Sequence, residues 1–311
     1  MLRNTLLYLS NQPRVFRFVR NNRLAKHFAS RFVAGETVDE ALAATRELNA
    51  KGITASLDLL GESVNNEREA RQARDAYITL LDRIQQAKLQ ANVSVKLTAM
   101  GLDIDHELCV AIMQDILTRA QEYESFVRID MESSVYTDIT LKLFEDRLYP
   151  VYKANVGVVL QSCLYRTLED VEHVNGLGAR VRICKGAYKE PASVAYPEKP
   201  DVDASYVKCM HELMLRGNYP GIATHDPAMI NEAKRFAAEQ GIAKERFEFQ
   251  MLYGIRRDLQ ESLVREGYRM RCYVPFGTQW YPYLMRRLAE RPANVAFITG
   301  SVIKEALHGK H

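Results

Sequence analysis

The stretch Asn155-Val-Gly-Val-Val-Leu-Gln-Ser162, the signal Thr167-Leu-Glu-Asp170 and the run Arg180-Val-Arg-Ile-Cys-Lys-Gly-Ala-Tyr188 decide the fold. The two outer runs are short and rich in β-branched residues, the pattern of buried strands. Thr167 with acidic residues behind it opens a helix between them. A helical crossover joins strands that run in the same direction, so this is one parallel βαβ unit. The same rhythm recurs on both sides, at Gly52–Leu60, Asn92–Met100, Phe126–Glu132, Gly221–Asp226, Phe247–Gly254 and Met270–Gly277. Eight strands alternating with helices over about 250 residues predict an α/β chain closed into a (β/α)8 TIM barrel. The alternative, a doubly wound open sheet, finds no support in a glycine fingerprint: Gly176-Leu-Gly178 follows a helix, and there is no phosphate-loop lysine motif.

With 311 residues, 47% of them hydrophobic, the chain can bury a large core. A net charge of +3 is too weak to argue for nucleic acid, and it is unevenly spread. Residues 1–35 hold seven Lys or Arg and no Asp or Glu. That segment reads as two short basic amphipathic helices, one with Leu24, Phe28 and Phe32 on a single face, suited either to a membrane surface or to packing on its own domain. Thr37-Val-Asp-Glu40 is a capping box for a helix running to about Asn49. We therefore divide the chain into an N-terminal helical arm, residues 1–49, and a barrel, residues 50–311. Five scattered cysteines without a CxxC pair suggest a reducing, cytoplasmic setting. No apolar run is long enough to span a bilayer. The seven histidines form no zinc pattern, so no metal is expected. Residues 189–203, with three prolines and no periodicity, read as a long loop that could be a lid or an ordered spacer.

Barrel enzymes work at the C-terminal ends of their strands. In Asn92–Thr98, Ser94, Lys96 and Thr98 alternate with Val93, Val95 and Leu97; in Phe126–Glu132, Arg128, Asp130 and Glu132 share one face. A lysine pointing into a packed interior needs a partner, and these carboxylates could supply it, either as a structural ion network or as a site. Arg182, Lys185-Gly186-Ala187, Gln161 and Thr224-His225 bring further polar groups to strand ends. A cation beside a backbone free of bulky side chains suits a phosphate or a flat ring. In the last segment Tyr283, Arg286, Arg287 and Glu290 share one flank of a helix.

These residues occur in order within a set of motifs: Val-Ser-Val-Lys96-Leu, Arg-Ile-Asp130-Met-Glu, Val-Arg182-Ile-Cys-Lys185-Gly-Ala-Tyr188, Ala-Thr224-His225-Asp, Phe-Gln250-Met-Leu252-Tyr-Gly254, Tyr273-Val-Pro-Phe-Gly277 and Tyr283-Leu-Met-Arg286-Arg287-Leu-Ala-Glu290. The set resembles the flavin-dependent proline dehydrogenases over residues 50–300, most closely their short monofunctional bacterial form. The resemblance implies a distorted barrel whose last helix lies over the C-terminal mouth. It implies FAD-dependent oxidation of L-proline to 1-pyrroline-5-carboxylate, with electrons passed to a membrane quinone. By residue, it implies that Arg286 and Arg287 hold the substrate carboxylate, Lys96 assists, and Tyr188, Leu252, Tyr273 and Tyr283 box the ring. Arg182 is implied to lie at the flavin's reactive nitrogen and Asp130 to orient the substrate-side cations, with Glu290 bracing a guanidinium. Met131, Gln161, Lys185, Gly186, Ala187, Thr224 and His225 are implied to touch FAD. Tyr273, where hydroxyproline oxidases carry a smaller residue, favours proline. The implied partners are the quinone and a separate pyrroline-5-carboxylate dehydrogenase, with residues 1–35 available for peripheral contact with the inner face of the membrane. Competing readings are a Schiff-base aldolase using Lys96 or Lys185 and a non-catalytic membrane adaptor.

Overall fold

A computed structural model describes residues 29–61 and 64–290, with side chains in the last helix as far as Met285. Eight strands, all parallel, close in sequence order: β1 (Thr54–Leu59), β2 (Ala91–Val95), β3 (Val127–Ile129), β4 (Val156–Gln161), β5 (Arg180–Cys184), β6 (Gly221–Ala223), β7 (Glu248–Leu252) and β8 (Arg269–Phe276). Closure is made by β8 against β1, in register from Thr54 opposite Arg271 to Leu59 opposite Phe276. The helices are α1 (Val38–Ala50), α2 (Glu67–Gln86), α3 (His106–Glu122), α4 (Thr137–Leu143), α5 (Tyr149–Tyr152), α6 (Thr167–Leu177), α7 (Lys199–Arg216), α8 (Pro227–Glu239), α9 (Arg257–Arg265) and α10 (Trp280–Glu290).

Local chemistry explains where the helices begin. Thr37 caps α1 through the expected box, its hydroxyl accepting from the Glu40 N–H while the Glu40 carboxylate accepts from the Thr37 N–H. Asn66 and Asp105 cap α2 and α3 in the same way, each accepting from the N–H three residues on. In α2, Ala70, Tyr77, Leu80, Leu81 and Ile84 recur at helical spacing and are buried, which fixes the face it turns to the sheet.

The hydrophobic core lies outside the sheet. Leu57, Val93, Val95, Ile129, Val158, Val181, Ile183, Phe249 and Val274 are buried with helix residues in one cluster. The alternate residues of β1, β2, β3 and β5 are mostly polar, among them Ser56, Asp58, Ser94, Arg128 and Arg182. Arg182 of β5 bonds to groups on β2, at the end of β3 and on β7, none of which adjoins β5, so its side chain crosses the lumen.

Several strands are shorter than their sequence pattern. β2 stops at Val95, and the chain turns through a 3-10 segment, Thr98–Met100, to Gly101 in a left-handed conformation. β3 stops at Ile129, β5 at Cys184 and β6 at Ala223, so Asp130, Lys185–Tyr188 and Thr224-His225 sit in the loops that follow. Polar groups continuing the alternation past the strand ends made those runs look longer. After β3 the expected single helix is broken: α4 passes through a π turn, Phe144–Leu148, into α5, where Pro150 lacks the N–H a continuous helix needs. The proline-rich loop ends at Lys199, since Pro200 occupies the first turn of α7, a position that tolerates it. This loop is pinned to the one after β4, the Tyr165 N–H donating to the Val194 carbonyl and the Tyr196 N–H to the Cys163 carbonyl.

Of the basic arm, residues 1–28 lie outside the described residues. Residues 29–36 run along the ends of β7 and β8: the Ala34 N–H donates to the Pro275 carbonyl, the Gly277 N–H to the Gly35 carbonyl and Trp280 Nε1 to Glu36. Only residues 277–279 separate β8 from α10, which therefore starts at the C-terminal end of the barrel.

Candidate active site

The period-2 faces of β1, β2, β3, β5 and β8 deliver Asp58, Lys96, Asp130, Arg182 and Tyr273 to one place. Lys96 Nζ donates to both oxygens of Asp58, at 3.0 and 3.1 Å, and lies 3.7 Å from Asp130 Oδ2. The Tyr273 hydroxyl donates to Asp130 Oδ2 at 2.6 Å, and Arg182 donates to Asp130 Oδ1 at 2.8 Å. The remaining donors of Arg182 go to Gln250 Oε1 and, at 3.3 Å, to Ser94 Oγ; its guanidinium stands 5.3 Å from the centre of the Tyr273 ring. Two cations and two carboxylates balance.

The environment resists additional charge. Burial raises the Asp58 carboxyl above its ordinary range despite the opposing pull of Lys96, and the nearby Asp130 adds to the rise. Burial, with Asp130 and Asp58, holds the Tyr273 phenol well above its usual value. The tyrosine therefore stays a neutral hydrogen-bond donor.

Beside this layer, Glu132 is buried and receives the Thr98 N–H and hydroxyl. Gln161, 3% exposed, gives its amide to the Glu132 carbonyl, while its Oε1 has no partner. That unanswered acceptor faces Gly186, whose φ is +104°; a Cβ there would fall 3.0 Å from Gln161 Oε1 and 2.4 Å from Cys163 Sγ. A stretch without side chains next to a buried acceptor is a seat for the N–H edge of a planar heterocycle, and it fits a flavin. Thr224 is buried, its N–H on the Gln250 carbonyl. His225 Nε2 accepts from the Leu252 N–H at 2.8 Å, bringing those two residues together and leaving the ring proton on Nδ1.

Lys185 is placed differently from a bare phosphate-binding cation. Its ammonium is 2.9 Å from Asp226 Oδ2, the N-cap of α8, and 2.5 Å from Asp203 of α7. Lys185 in turn lowers the Asp226 carboxyl. Met131 is buried after β3; Ala187 and Tyr188 are half-buried in the loop after β5. Tyr283 is buried on α10, and the backbone of that helix sets positions 283, 286, 287 and 290 on one flank. The side chains of Arg286, Arg287 and Glu290 lie outside the described residues. Among the described residues no cluster of His, Cys, Asp or Glu could hold a metal ion.

Sequence reasoning did not single out Asp58, the principal partner of Lys96. Its signal was present in the alternation of Ser56 and Asp58 with Ala55, Leu57 and Leu59.

Residues 41–300 match the family model for proline dehydrogenase. The chain belongs to the proline dehydrogenase family. Proline dehydrogenase 2 of Bacillus subtilis strain 168 is 43% identical over 289 residues, covering 91% of this chain and 95% of that protein. The proline dehydrogenase of Deinococcus radiodurans is 40% identical over 307 residues, 98% of each chain. Among solved structures, proline utilization A from Bdellovibrio bacteriovorus, inactivated by N-propargylglycine, superposes with a TM-score of 0.81 at 27% identity. That match covers 89% of this chain and 34% of the other, so this proline dehydrogenase spans about a third of the larger protein.

Proposed function

We propose that this chain oxidises L-proline to 1-pyrroline-5-carboxylate, with FAD as its cofactor and a membrane quinone as the onward electron acceptor. The observation that carries the reading is the neutral, cross-braced layer of Asp58, Lys96, Asp130, Arg182 and Tyr273 at the C-terminal strand ends, next to the unanswered Gln161 acceptor and bare Gly186. A bound flavin supplies the hydride-accepting centre that protein side chains lack. Met131, Gln161, Lys185, Gly186, Ala187, Thr224 and His225 hold it. Arg286 and Arg287 take the substrate carboxylate, because paired guanidiniums fix its orientation as well as its charge. Lys96 adds a third cation, and Tyr188, Leu252, Tyr273 and Tyr283 enclose the ring and exclude water, with α10 over the mouth and Glu290 bracing a guanidinium. Asp130 and Gln250 keep Arg182 in one rotamer, so that its positive charge meets negative charge building on the cofactor side without reorganisation. The Tyr273 phenol crowds a ring hydroxyl, so proline is preferred to hydroxyproline.

No helix among the described residues is long and apolar enough to cross a membrane. The basic residues 1–35 provide peripheral contact with an anionic, cytoplasmic-facing surface where the quinone is reached, and a separate pyrroline-5-carboxylate dehydrogenase takes the product. The visible spectrum of the purified protein, with and without proline, tests the proposal. A yellow protein bleached by proline is expected; a colourless one with a borohydride-trappable adduct on Lys96 or Lys185 would instead support a Schiff-base aldolase. Arg287→Met should raise the proline KM with little change in flavin content.

A further inference from the structure

At the other end of the lumen, among the strand N-termini, lies a cavity of about 170 Å³ whose charged lining is Arg128, Arg180, Arg271, Glu248 and the exposed Glu124, with Asn92 and Ser125 beside them. Its charges are unevenly answered. Glu248 is fully committed, receiving Arg271 Nε at 2.7 Å, Gln250 Nε2 at 2.6 Å and the Tyr219 hydroxyl at 3.1 Å. Arg271 therefore has its carboxylate. Arg128 and Arg180 have none within ion-pair reach among the described residues. Arg128, 4% exposed, spends its NH1 on the Val158 and Arg180 carbonyls, at 2.9 and 2.6 Å, and its Nε has no partner. The Nε of Arg180, the Oγ of Ser125 and, as an acceptor, the Oδ1 of Asn92 are buried and unpartnered as well.

Aromatic rings lie beside the guanidiniums: the Phe126 ring centre is 4.7 Å from Arg128 and 5.4 Å from Arg180, and the Tyr219 ring centre is 5.6 Å from Arg180 and 5.4 Å from Arg269. Such contacts favour the cationic form without using an N–H donor. Burial disfavours the charge on Arg128 and the guanidiniums of Arg182 and Arg271 add to that cost, while Glu248 and Asp130 offset only part of it. An arginine does not deprotonate to escape such a cost. Water in the cavity could satisfy its N–H groups, but only an anion also offsets its charge.

We propose that this cavity is a binding site for a small oxyanion, a carboxylate or inorganic phosphate, held by the guanidiniums of Arg128 and Arg180 with the Ser125 hydroxyl beside them. It lies at the end of the barrel opposite the proposed substrate clamp and does not depend on that assignment.

The test uses the full-length protein dialysed exhaustively into chloride buffer and titrated with sodium phosphate or sodium acetate at constant ionic strength, followed by thermal unfolding and calorimetry. A saturable rise in Tm is expected with at least one oxyanion, and the responding one identifies the source chemistry. Arg180→Gln, a half-buried position outside the catalytic layer, should weaken that binding by about tenfold or more through loss of a charge-assisted bond, and Ser125→Ala should weaken it less. Arg128→Met would remove a buried group bonded to the Val158 and Arg180 carbonyls and so disturb the fold itself, and the two milder variants therefore decide. The proposal is overturned if neither oxyanion acts beyond the chloride control, or if Arg180→Gln responds as the wild type does.

Discussion

Replacing Arg182 by methionine removes one of the two cations from a balanced, buried layer. Asp130 would keep the Tyr273 hydroxyl at 2.6 Å but would have no cation nearer than Lys96 Nζ at 3.7 Å. Breaking a buried pair from one side costs about 3–5 kcal/mol, because the remaining charge is left uncompensated. With Tyr273 and Lys96 still present, the lower end applies, about 3 kcal/mol, or about 6–12 °C in Tm. Arg182→Lys keeps the charge but cannot reach Asp130, Gln250 and Ser94 together, so it should lose about 1.5–3 kcal/mol. Combining Arg182→Met with Asp130→Asn leaves the Lys96–Asp58 pair balanced, so the double variant should be more stable than the sum of the single losses by about 2 kcal/mol. Urea unfolding of the four proteins gives the cycle, and turnover with proline measures the same variants at the site. A methionine variant as stable as wild type, or strictly additive losses, would refute a cross-braced layer.

Two further outcomes follow from positions described above. Glu248 is buried, which on its own would raise its carboxyl, but Arg271 and Gln250 outweigh burial and the net direction is downward. A carboxyl lowered in the folded state contributes stability above its unfolded value of about 4.3 and loses it as pH falls through the folded value. Glu248→Gln should therefore be less stable by about 1.5–3 kcal/mol at pH 7, and its deficit should shrink on acidification below that range; a deficit independent of pH in urea titrations would contradict this. Gly186→Ala puts a Cβ 2.4 Å from Cys163 Sγ at a φ of +104°, costing about 1–3 kcal/mol in the loop. Flavin per chain after purification should fall while the far-ultraviolet circular dichroism stays that of the barrel, and full flavin content would count against the proposed seat.

The fold was legible because its two periodicities are clean. Val93, Val95 and Leu97 against Ser94, Lys96 and Thr98 announce a strand with one face in a core and the other in a polar interior, and the alternation of Arg182 with Val181 and Ile183 repeats the message. Asp58 was harder to see, since it is the one charged residue of its strand, flanked by Leu57 and Leu59, and its role appears only when β1 and β2 pair. The arrangement of Lys185 between Asp203 and Asp226 was equally hidden: it depends on where α7 and α8 begin, and a proline-rich run does not reveal that its last third is already helical. The π turn after α4 has no sequence marker apart from Pro150. The strand ends were overread for a physical reason, namely that a site continues the polar alternation of its strands into the loops that complete it.

The inverted distribution of polarity, with the apolar core around the sheet and paired groups within it, governs how such a sequence can drift. At an outward position such as Val158 or Ile183 a methyl group can be gained or lost at modest expense, one substitution at a time. Inside the lumen, Asp58, Lys96, Asp130, Arg182, Gln250, Glu248 and Arg271 form a chain in which each member answers the next. A single change there strands its neighbour, so lumen positions can be exchanged only in compensating pairs, and change along this chain must be concerted.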